Sequence, residues 1–375
     1  MNVPFLDLAA QQAEVADEVL ARWKQQLGAA AFIGGPEVSA FEQEYAAYIG
    51  VRHVIGVSNG TDALELAYRA LGAMPGDEII MPANTFIATA EAASRIGAVP
   101  VFVDVDDDHL LIDPAAIEAA ITPRTRLIAP VHLFGQMAPM EHIIPIAERH
   151  GLAIVEDAAQ AQGASSLAGR AGSLGRVAAT SFYPGKNLGA AGDAGAVMTD
   201  DPGIERIVRN LSGHGSSVKY VHDRVGMNAR LDAVQATVLR AKLRRLDAWN
   251  AARAAAADRY ADLLADIDGL RLPAVREGNE DVWHLYVVRV DERDRVMAEL
   301  GEAGIGVGIH YPTPVHLTEA YRPLGYRSGQ FPVAEAAADR ILSLPMFPHL
   351  TEAQQEYVAA SIRAAVPRIR SLTLS

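Results

Sequence analysis

Short apolar segments alternate with helical segments over the first two thirds of this 375-residue chain, and this alternation limits the fold more than any other feature. Strands are predicted at residues 78–81, 99–103, 127–131, 152–156 and 177–182, and helices at 61–71, 86–96, 114–121 and 140–150. Strands joined by helices at this spacing run mostly parallel, with helices on both faces of the sheet. The continuously apolar segment 127–131 is typical of a strand buried on both faces.

The pattern changes after about residue 246, where a second, smaller α+β domain is predicted. A long helix at 232–264 leads out of the first domain, and it is followed by a strand at 282–290, a helix at 293–303, a strand at 306–311 and a terminal helix. Ser39 with Glu42, and Thr351 with Gln354, have the spacing of a capping box, which marks a helix start. The predicted domains are residues 1–248 and 249–375, and residues 1–25 could pack on the second.

The composition is that of a globular protein, with half of the residues apolar and a formal charge of −13. A nucleic-acid partner is not expected, because phosphate binding needs a basic face. The chain has no cysteine, which excludes disulfides, thiolate catalysis and cysteine-ligated metal sites. Because there is no signal-peptide pattern and no apolar stretch of about 18 residues, we expect a cytoplasmic protein without a membrane span.

The histidines do not predict a metal site. His53, His132, His214 and His284 are scattered along the chain, without the paired spacing of metal ligands. We expect them to be structural residues whose hydrogen bonds are satisfied inside the protein.

Three chemically distinct groups occur where predicted strands end or a helix begins. In open α/β sheets, ligands bind outside the carboxyl ends of the strands. Asp157 follows the strand at 152–156, Lys186 follows the apolar stretch 177–182 after a Tyr-Pro-Gly turn, and residues 58–61 form a small-residue turn before a helix. A carboxylate, an amine and a helix N-terminus can together hold a ring that is cationic, bears an aldehyde and is phosphorylated.

Each of these groups also has an ordinary interpretation. The turn at 58–61 has the composition of a common N-cap, Asp157 could be a capping or salt-bridged carboxylate, and most lysines are solvated. Their combination favours the ligand site, because a lysine forms an imine only as the neutral amine and a carboxylate can keep a pyridine ring protonated.

Five motifs occur in a characteristic order: VSNGT (57–61), PANTF (82–86), EDAAQ (156–160), SFYPGK (181–186) and MNARLD (227–232). With them, the chain resembles the DegT/DnrJ/StrS family of sugar aminotransferases, from FLDL at 5–8 to about residue 345. The resemblance implies an α/β protein of fold type I, like aspartate aminotransferase. Its large domain would hold a mostly parallel seven-stranded sheet between helices. It also implies pyridoxal 5′-phosphate, with its pyridoxamine form, as the cofactor.

The resemblance further implies roles for individual residues. Lys186 corresponds to the Schiff-base lysine, and Asp157 to the partner of the pyridine nitrogen. Phe86 corresponds to the aromatic residue that stacks on the cofactor ring, and Gln160 to a residue near its 3-hydroxyl group. The remaining correspondences are phosphate contacts, which come from Gly60, Thr61 and Ser181 and, across the interface of a homodimer, from Asn228.

Two further segments point to the acceptor substrate. In segment 217–224, Lys219, Tyr220 and Arg224 could supply the cations and donors that a diphosphate-linked sugar needs. Segment 309–317 resembles the corresponding segment of family members that aminate position 3 of a hexose, and its Tyr311 and His316 could meet sugar hydroxyl groups. Both segments could instead be ordinary surface loops with solvated charges.

The sequence therefore predicts an enzyme that transfers an amino group from L-glutamate to a nucleotide-linked keto-deoxyhexose, with dTDP as the expected carrier and C3 as the expected position. A 4-keto sugar or a cyclic polyol ketone is the alternative acceptor. A dehydratase resembling this family would have histidine in place of Lys186. A non-catalytic regulator on this fold is disfavoured by the acidic charge and by the presence of both Lys186 and Asp157.

Overall fold

The computed structural model describes residues 1–366. The α-helices are α1 (Leu8–Ala13), α2 (Ala16–Ala29), α3 (Pro36–Ile49), α4 (Gly60–Ala70), α5 (Ala88–Arg95), α6 (Pro114–Ala120), α7 (Met140–His150), α8 (Pro202–Ser212), α9 (Ala233–Leu243), α10 (Leu246–Leu264), α11 (Arg293–Glu302), α12 (Pro332–Arg340) and α13 (Glu352–Ala365). The strands are β1 (His53–Val57), β2 (Glu78–Pro82), β3 (Val99–Val103), β4 (Thr125–Ile128), β5 (Ala153–Asp157), β6 (Ser165–Ser166), β7 (Gly169–Arg170), β8 (Val177–Ser181), β9 (Gly195–Thr199), β10 (Ser216–Val218), β11 (Val221–His222), β12 (Leu270–Arg271), β13 (Tyr286–Val290) and β14 (Ile341–Leu344). Short 3₁₀-helices occur at Leu133–Gly135, Val315–Leu317 and Glu319–Leu324. Within residues 1–366, no helix is both long enough and apolar enough to cross a membrane.

A seven-stranded sheet lies at the centre of the larger part of the chain, with the strand order β1-β9-β8-β5-β4-β2-β3. β9 runs antiparallel to both of its neighbours, and the other pairs are parallel. Side chains of β2 alternate between two cores, because Ile79 and Met81 pack with α4 and α5 whereas Ile80 packs on the opposite face with α3 and α7. The predicted mostly parallel sheet between two layers of helices is confirmed.

A three-stranded antiparallel sheet, in the order β12-β13-β14, packs with α10, α11 and α13 around a separate core. Val3 belongs to this core, where its backbone N–H donates to the Gly304 carbonyl at 2.9 Å. α2 packs instead on α9, and Trp23 Nε1 donates to the Val234 carbonyl at 2.9 Å. Residues 1–25 are therefore divided between the two parts of the chain. The domain boundary near residue 248 remains a prediction.

The long helix predicted at 232–264 is wrong, because the chain forms two helices there, α9 and α10, separated at Arg244 and Arg245. α9 packs against α2 and α3, whereas α10 packs against α13. The two helices bury their side chains against different elements, and a continuous helical pattern in the sequence does not reveal where such a change occurs.

The strand predicted at 306–311 is also wrong. Gly308 forms an isolated bridge with Ser343, and a Cβ atom on Gly306 would lie only 2.6 Å from the backbone nitrogen of Phe5. Close contact with the N-terminal segment thus replaces regular strand pairing along this stretch.

One of the two predicted capping boxes is present. The Thr351 side chain accepts from the Gln354 backbone, and the Gln354 side chain accepts from the Thr351 backbone, at the start of α13. Ser39, by contrast, lies inside α3, which begins at Pro36. Proline is favoured at the first position of a helix, and this signal outweighs the Ser39 pattern.

Candidate active site

The carboxyl ends of β5 and β8 and the beginning of α4 border a cavity of about 290 Å³. Ligand sites of open α/β sheets lie at such an edge. Of the residues predicted for the site, those that line the cavity are Gly60, Thr61, Phe86, Asp157, Gln160, Ser181, Lys186 and Tyr311. The fold thus brings together side chains that are far apart in the sequence.

Asp157 is the last residue of β5, and burial raises the pKa of its carboxyl group above the ordinary value. Two hydrogen bonds oppose the effect of burial. Thr89 Oγ1 donates to Oδ2 at 2.7 Å, and the Ala159 backbone N–H donates to Oδ1 at 3.1 Å. A buried carboxylate is stabilised further by a nearby cation, and a protonated ring nitrogen in the cavity would supply one.

Lys186 ends the turn that follows β8, and its backbone N–H donates to the Tyr183 carbonyl at 2.8 Å. Burial lowers the pKa of its amine to about 8, although the charge of Asp157 opposes that shift. About one amine in ten is then neutral at pH 7, against fewer than about one in a thousand for an ordinary lysine. The neutral amine is the form that attacks an aldehyde, so Lys186 is suited to covalent attachment of a cofactor.

Lys242 shows that a lowered pKa alone does not define the site. Burial also lowers the pKa of this lysine to about 8. It lies in α9, however, and is not among the residues that line the cavity. Lys186 therefore differs from Lys242 in its position, because Lys186 lines the same cavity as Asp157.

The N-terminus of α4 lies at the border of the cavity. Asn59 caps this helix, with Oδ1 accepting from the Asp62 backbone N–H at 2.8 Å. A Cβ atom on Gly60 would lie 2.7 Å from the Cβ of Ser181, so the close approach of α4 to β8 requires glycine here. Backbone N–H groups in the first turn lack partners within the helix, and the helix dipole favours an anion. Gly60, Thr61 and Ser181 therefore lie together at a position of the cavity that suits an anion.

Gln160 is held by both atoms of its amide group. Its Oε1 accepts from the Phe134 backbone N–H at 2.7 Å, and its Nε2 donates to the Tyr311 hydroxyl at 3.1 Å. The Tyr311 ring in turn lies 5.2 Å from the Phe86 ring, centre to centre. The second Nε2 hydrogen can donate to a ligand oxygen, and the half-exposed Phe86 offers a face to an aromatic ring.

These groups fit pyridoxal phosphate, the cofactor that the resemblance implies. An amine with a lowered pKa, a buried carboxylate and a helix N-terminus surround one cavity, and they match the aldehyde, the ring nitrogen and the phosphate of that cofactor. Gly60 allows the N-terminus of α4 to approach Ser181 closely, because a Cβ atom there would lie only 2.7 Å from the Cβ of Ser181.

A comparison with protein families decides the assignment. The model of the DegT/DnrJ/EryC1/StrS aminotransferase family matches residues 13–363. The chain belongs to the DegT/DnrJ/EryC1/StrS aminotransferase family.

Two relatives match this family member over nearly its whole length. The erythromycin biosynthesis sensory transduction protein EryC1 of Saccharopolyspora erythraea is 50% identical over 364 residues, which cover 97% of this chain and 100% of that protein. The dTDP-3-amino-3,4,6-trideoxy-alpha-D-glucose transaminase of Streptomyces venezuelae is 47% identical and covers 98% of this chain and 97% of that protein. The similarity therefore includes both parts of the chain.

Solved structures support the same conclusion. The X-ray structure of DesV from S. venezuelae in complex with a ketimine intermediate has a TM-score of 0.96 and 47% identity, and the match covers 98% of this chain and 99% of that chain. The structure of ntda from Bacillus subtilis with bound cofactor pmp has a TM-score of 0.91 and 34% identity, and covers 97% and 85%. This protein is thus a pyridoxal-phosphate-dependent aminotransferase of fold type I.

Five predicted site residues of this aminotransferase lie outside the cavity, and four of them, all except His316, are exposed. Lys219 and Tyr220 form the exposed turn between β10 and β11, and Lys219 Nζ lies 5.1 Å from the centre of the Tyr220 ring. Arg224 and Asn228 are also exposed, and Asn228 Oδ1 accepts from Arg230 Nε at 3.0 Å. A single chain does not bring these residues to its own cavity.

The prediction that His316 meets the substrate is wrong. Its side chain is 1% exposed, its Nε2 lies 3.2 Å from Glu335 Oε1, and its ring packs edge-on against Phe331, with 4.6 Å between centres. Burial lowers the pKa of His316. Tyr311 and His316 lie on the same loop, but only Tyr311 reaches the cavity, because the loop turns the histidine towards α12.

His132 and His284 are structural residues, in agreement with the prediction. His132 Nδ1 accepts from the Ala138 backbone N–H at 3.0 Å, so Nε2 carries the proton and donates to Glu156 at 2.8 Å. His284 Nδ1 lies 3.1 Å from Asn187 Oδ1, and burial lowers the pKa of this ring. In the part of the chain that the structure describes, no group of three or more His, Cys, Asp or Glu side chains could hold a metal ion.

Tyr183, Asp193 and Thr89 are among the residues at or beside the site that the predicted set of site residues omits. Tyr183 and Asp193 line the cavity. Asp193 precedes β9, an antiparallel strand that the alternation of helices and parallel strands does not indicate. Thr89 donates to Asp157 but does not line the cavity, and no motif in the sequence indicates its contact with Asp157.

Proposed function

We propose that this enzyme transfers the amino group of L-glutamate to C3 of a nucleotide-linked keto-deoxyhexose, with dTDP as the expected carrier. The proposal is carried by a cavity that holds Lys186 and Asp157, in a chain that matches a relative named as a dTDP-sugar 3-amino transaminase along nearly all of its length. Relatives named for UDP-linked sugars also match, so the carrier has to be identified by experiment. A cytoplasmic location remains a prediction.

Lys186 is assigned the proton transfer. Pyridoxal phosphate, when bound, draws electrons from the α-carbon of the amino donor and so makes its proton removable. The Lys186 amine, with a pKa of about 8, removes and returns protons near neutral pH. The same group then serves both halves of the reaction, first with the amino donor and then with the keto acceptor.

The other cavity residues orient the cofactor. Asp157 keeps the ring nitrogen protonated, because its buried carboxylate attracts a cation more strongly than a solvated one would. Gln160 would donate to the ring oxygen, and Phe86 would cover one face of the ring. Gly60, Thr61 and Ser181 would hold the phosphate. Tyr311, which is fixed through Gln160, would contact the acceptor sugar.

The four exposed residues outside the cavity are assigned to the cavity of a second subunit. The hairpin of β10 and β11 exposes Val218, Tyr220 and Val221, and such an apolar patch indicates a contact surface. In a two-fold homodimer, each subunit would extend this hairpin and Asn228 towards the other subunit. Lys219 and Arg224 would then place positive charge near the diphosphate of the acceptor.

Subunit complementation tests this arrangement. Lys186→Ala and Asn228→Ala are both expected to reduce activity strongly, but a mixed dimer regains one site with an intact Lys186 and an intact Asn228. Random exchange between equal amounts should restore about a quarter of the wild-type sites, because half of the dimers are mixed and each has one intact site. Activity is measured after subunit exchange, confirmed by native mass spectrometry.

The matched control combines Lys186→Ala with Asp157→Asn. Both residues belong to the same cavity of one chain, so no exchange of subunits can produce an intact site. Equal recovery in the two mixtures, or no recovery in the first, would contradict shared active sites.

An acceptor panel tests the proposed substrate. The purified enzyme is incubated with L-glutamate and with 3-keto and 4-keto deoxyhexoses on dTDP and UDP, and with a cyclic polyol ketone. We expect the highest kcat/KM with the 3-keto sugar on dTDP, and a product whose NMR spectrum places nitrogen on C3. Nitrogen on C4, or turnover of the cyclic ketone alone, would contradict the proposal.

A variant outside the cavity separates binding of the acceptor from chemistry on the donor. Lys219→Ala should raise KM for the sugar nucleotide and leave the half-reaction with glutamate unchanged, because Lys219 is assigned to the diphosphate of the acceptor and glutamate has no such group. An equal effect on both half-reactions would remove Lys219 from the acceptor site. A protein that binds the cofactor without turning over any acceptor would favour the regulatory alternative, which the name of the EryC1 relative also suggests.

A further inference from the structure

We propose that Thr89 is a positioning residue that keeps Asp157 ionised and thereby keeps the proton on the cofactor ring nitrogen. The inference rests on the role proposed above for Asp157. Thr89 lies in α5 with a fully buried side chain, and it is not among the residues that line the cavity. It therefore acts on the reaction through Asp157.

Two threonines and the aspartate form a buried row of hydrogen bonds. Thr89 Oγ1 lies 2.7 Å from Asp157 Oδ2 and 2.8 Å from Thr85 Oγ1. Thr85 is 2% exposed and Thr89 is 0% exposed, so water does not compete for these bonds. The Thr89 carbonyl also accepts from the Tyr68 hydroxyl at 3.3 Å, which ties this turn of α5 to α4.

The direction of these hydrogen bonds depends on the charge of Asp157. An ionised carboxylate can only accept, so Thr89 gives its one hydroxyl hydrogen to Asp157 and accepts from Thr85. If Asp157 were protonated and donated to Thr89, the row would reverse, and the Thr85 hydroxyl would need another acceptor. Within residues 1–366, the only hydrogen bond of Thr85 Oγ1 is the one to Thr89. The row is thus fully paired only when Oδ2 of Asp157 carries no proton, which is the case in the ionised carboxylate.

The hydroxyl of Thr89 carries much of the stabilisation of this charge. Asp157 receives one hydrogen bond on each oxygen, from Thr89 and from the Ala159 backbone. Its neighbour Glu156 receives four, from His132 and three backbone N–H groups, and faces away from the cavity. Removing the Thr89 donor would leave one carboxylate oxygen of Asp157 without a donor from the protein. The carboxylate would then be more basic, and the proton shared with the ring nitrogen would move towards Asp157.

The test uses enzyme loaded with ¹⁵N-labelled pyridoxal phosphate, because the ¹⁵N chemical shift reports the protonation of the ring nitrogen. In Thr89→Val, which keeps the shape of the side chain but removes the hydroxyl, the signal should move towards the unprotonated value. kcat should fall about tenfold to a hundredfold, as expected for a lost hydrogen bond to a charged group. Thr89→Ser keeps the donor and should retain the wild-type shift. Thr85→Val should move the signal in the same direction by a smaller amount.

Asp157→Asn is the reference variant, because it distinguishes a failure of the Thr89 inference from a failure of the role proposed for Asp157. If the signal moves in Asp157→Asn but not in Thr89→Val, this inference is wrong and the role of Asp157 stands. If it moves in neither, the role of Asp157 is wrong and the inference fails with it. A Thr89→Ser enzyme that behaves like Thr89→Val would show a packing effect and would also overturn the inference. If Thr89→Val does not fold, Thr85→Val replaces it in the test, and an unchanged ¹⁵N signal in that variant would contradict the inference.

Discussion

Replacement of Lys186 with alanine is expected to lower turnover by at least about 10²–10⁴-fold, the contribution typical of a positioned general base. The effect should be large because the variant loses both the covalent attachment point for the cofactor and the only amine that lines the cavity within the described residues. Both half-reactions should slow, since the same proton transfer serves each. Rapid-mixing spectroscopy of the half-reactions with glutamate and with the keto acceptor measures the two losses separately.

Two controls distinguish a loss of chemistry from a loss of folding. Lys24→Ala removes an exposed lysine of α2 and should leave turnover and melting temperature unchanged. A small primary amine added to Lys186→Ala should restore part of the proton transfer, because the shortened side chain leaves space for it in the cavity. A Lys186→Ala enzyme that transaminates at the wild-type rate would contradict the assignment of this residue.

Replacement of Asp157 with asparagine should lower kcat by about 10²–10³-fold, the range seen when one preorganised electrostatic contact is removed from an active site. Asparagine keeps the shape of the side chain, but it can no longer balance a protonated ring nitrogen. The loss should appear in kcat more than in KM, because the ring draws most electron density while the α-carbon is losing its proton. Steady-state kinetics with saturating glutamate measure it.

Glu156→Gln provides a matched control one residue away. Burial disfavours the charge of Glu156, but hydrogen bonds from His132 and from the backbone outweigh burial and lower the pKa of its carboxyl group. This carboxylate does not line the cavity, so the substitution should decrease the free energy of unfolding, by about 1–3 kcal/mol, with little change in kcat. Equal losses of kcat in the two variants would show that Asp157 has no special role.

The central part of the fold and the cavity could be predicted because both depend on local patterns. Asp157 and Lys186 each follow an apolar segment, and parallel neighbours such as β5 and β8 place their carboxyl ends at the same edge of the sheet. The small-residue turn before α4 is likewise a local pattern, and it indicates the N-terminus of a helix. Tyr311, Phe86 and Gln160 carry no such signal, and their correct placement in the cavity came from the resemblance to a family.

The features that could not be predicted depend on tertiary contacts. His316 is buried against Phe331 and Glu335, which follow it by 15 and 19 residues, and the loop sequence alone does not indicate which of its rings faces inwards. β9 was missed because it runs antiparallel within a mostly parallel sheet. The break between α9 and α10 arises from their different packing partners. Asn228 and Lys219 lie outside the cavity of their own chain, so the role proposed for them requires a second subunit.

Borohydride reduction of the cofactor-loaded enzyme, followed by mass mapping of its peptides, is the most direct test of the central claim that Lys186 carries the cofactor. The chain has four lysines, at positions 24, 186, 219 and 242, so the label can be assigned without ambiguity. Lys242 serves as an internal control, because its pKa is also lowered to about 8 but it lies away from the cavity. We expect the mass of the reduced cofactor on the Lys186 peptide alone, whereas a label on Lys242 or on either of the other two lysines, with Lys186 unmodified, would contradict the account.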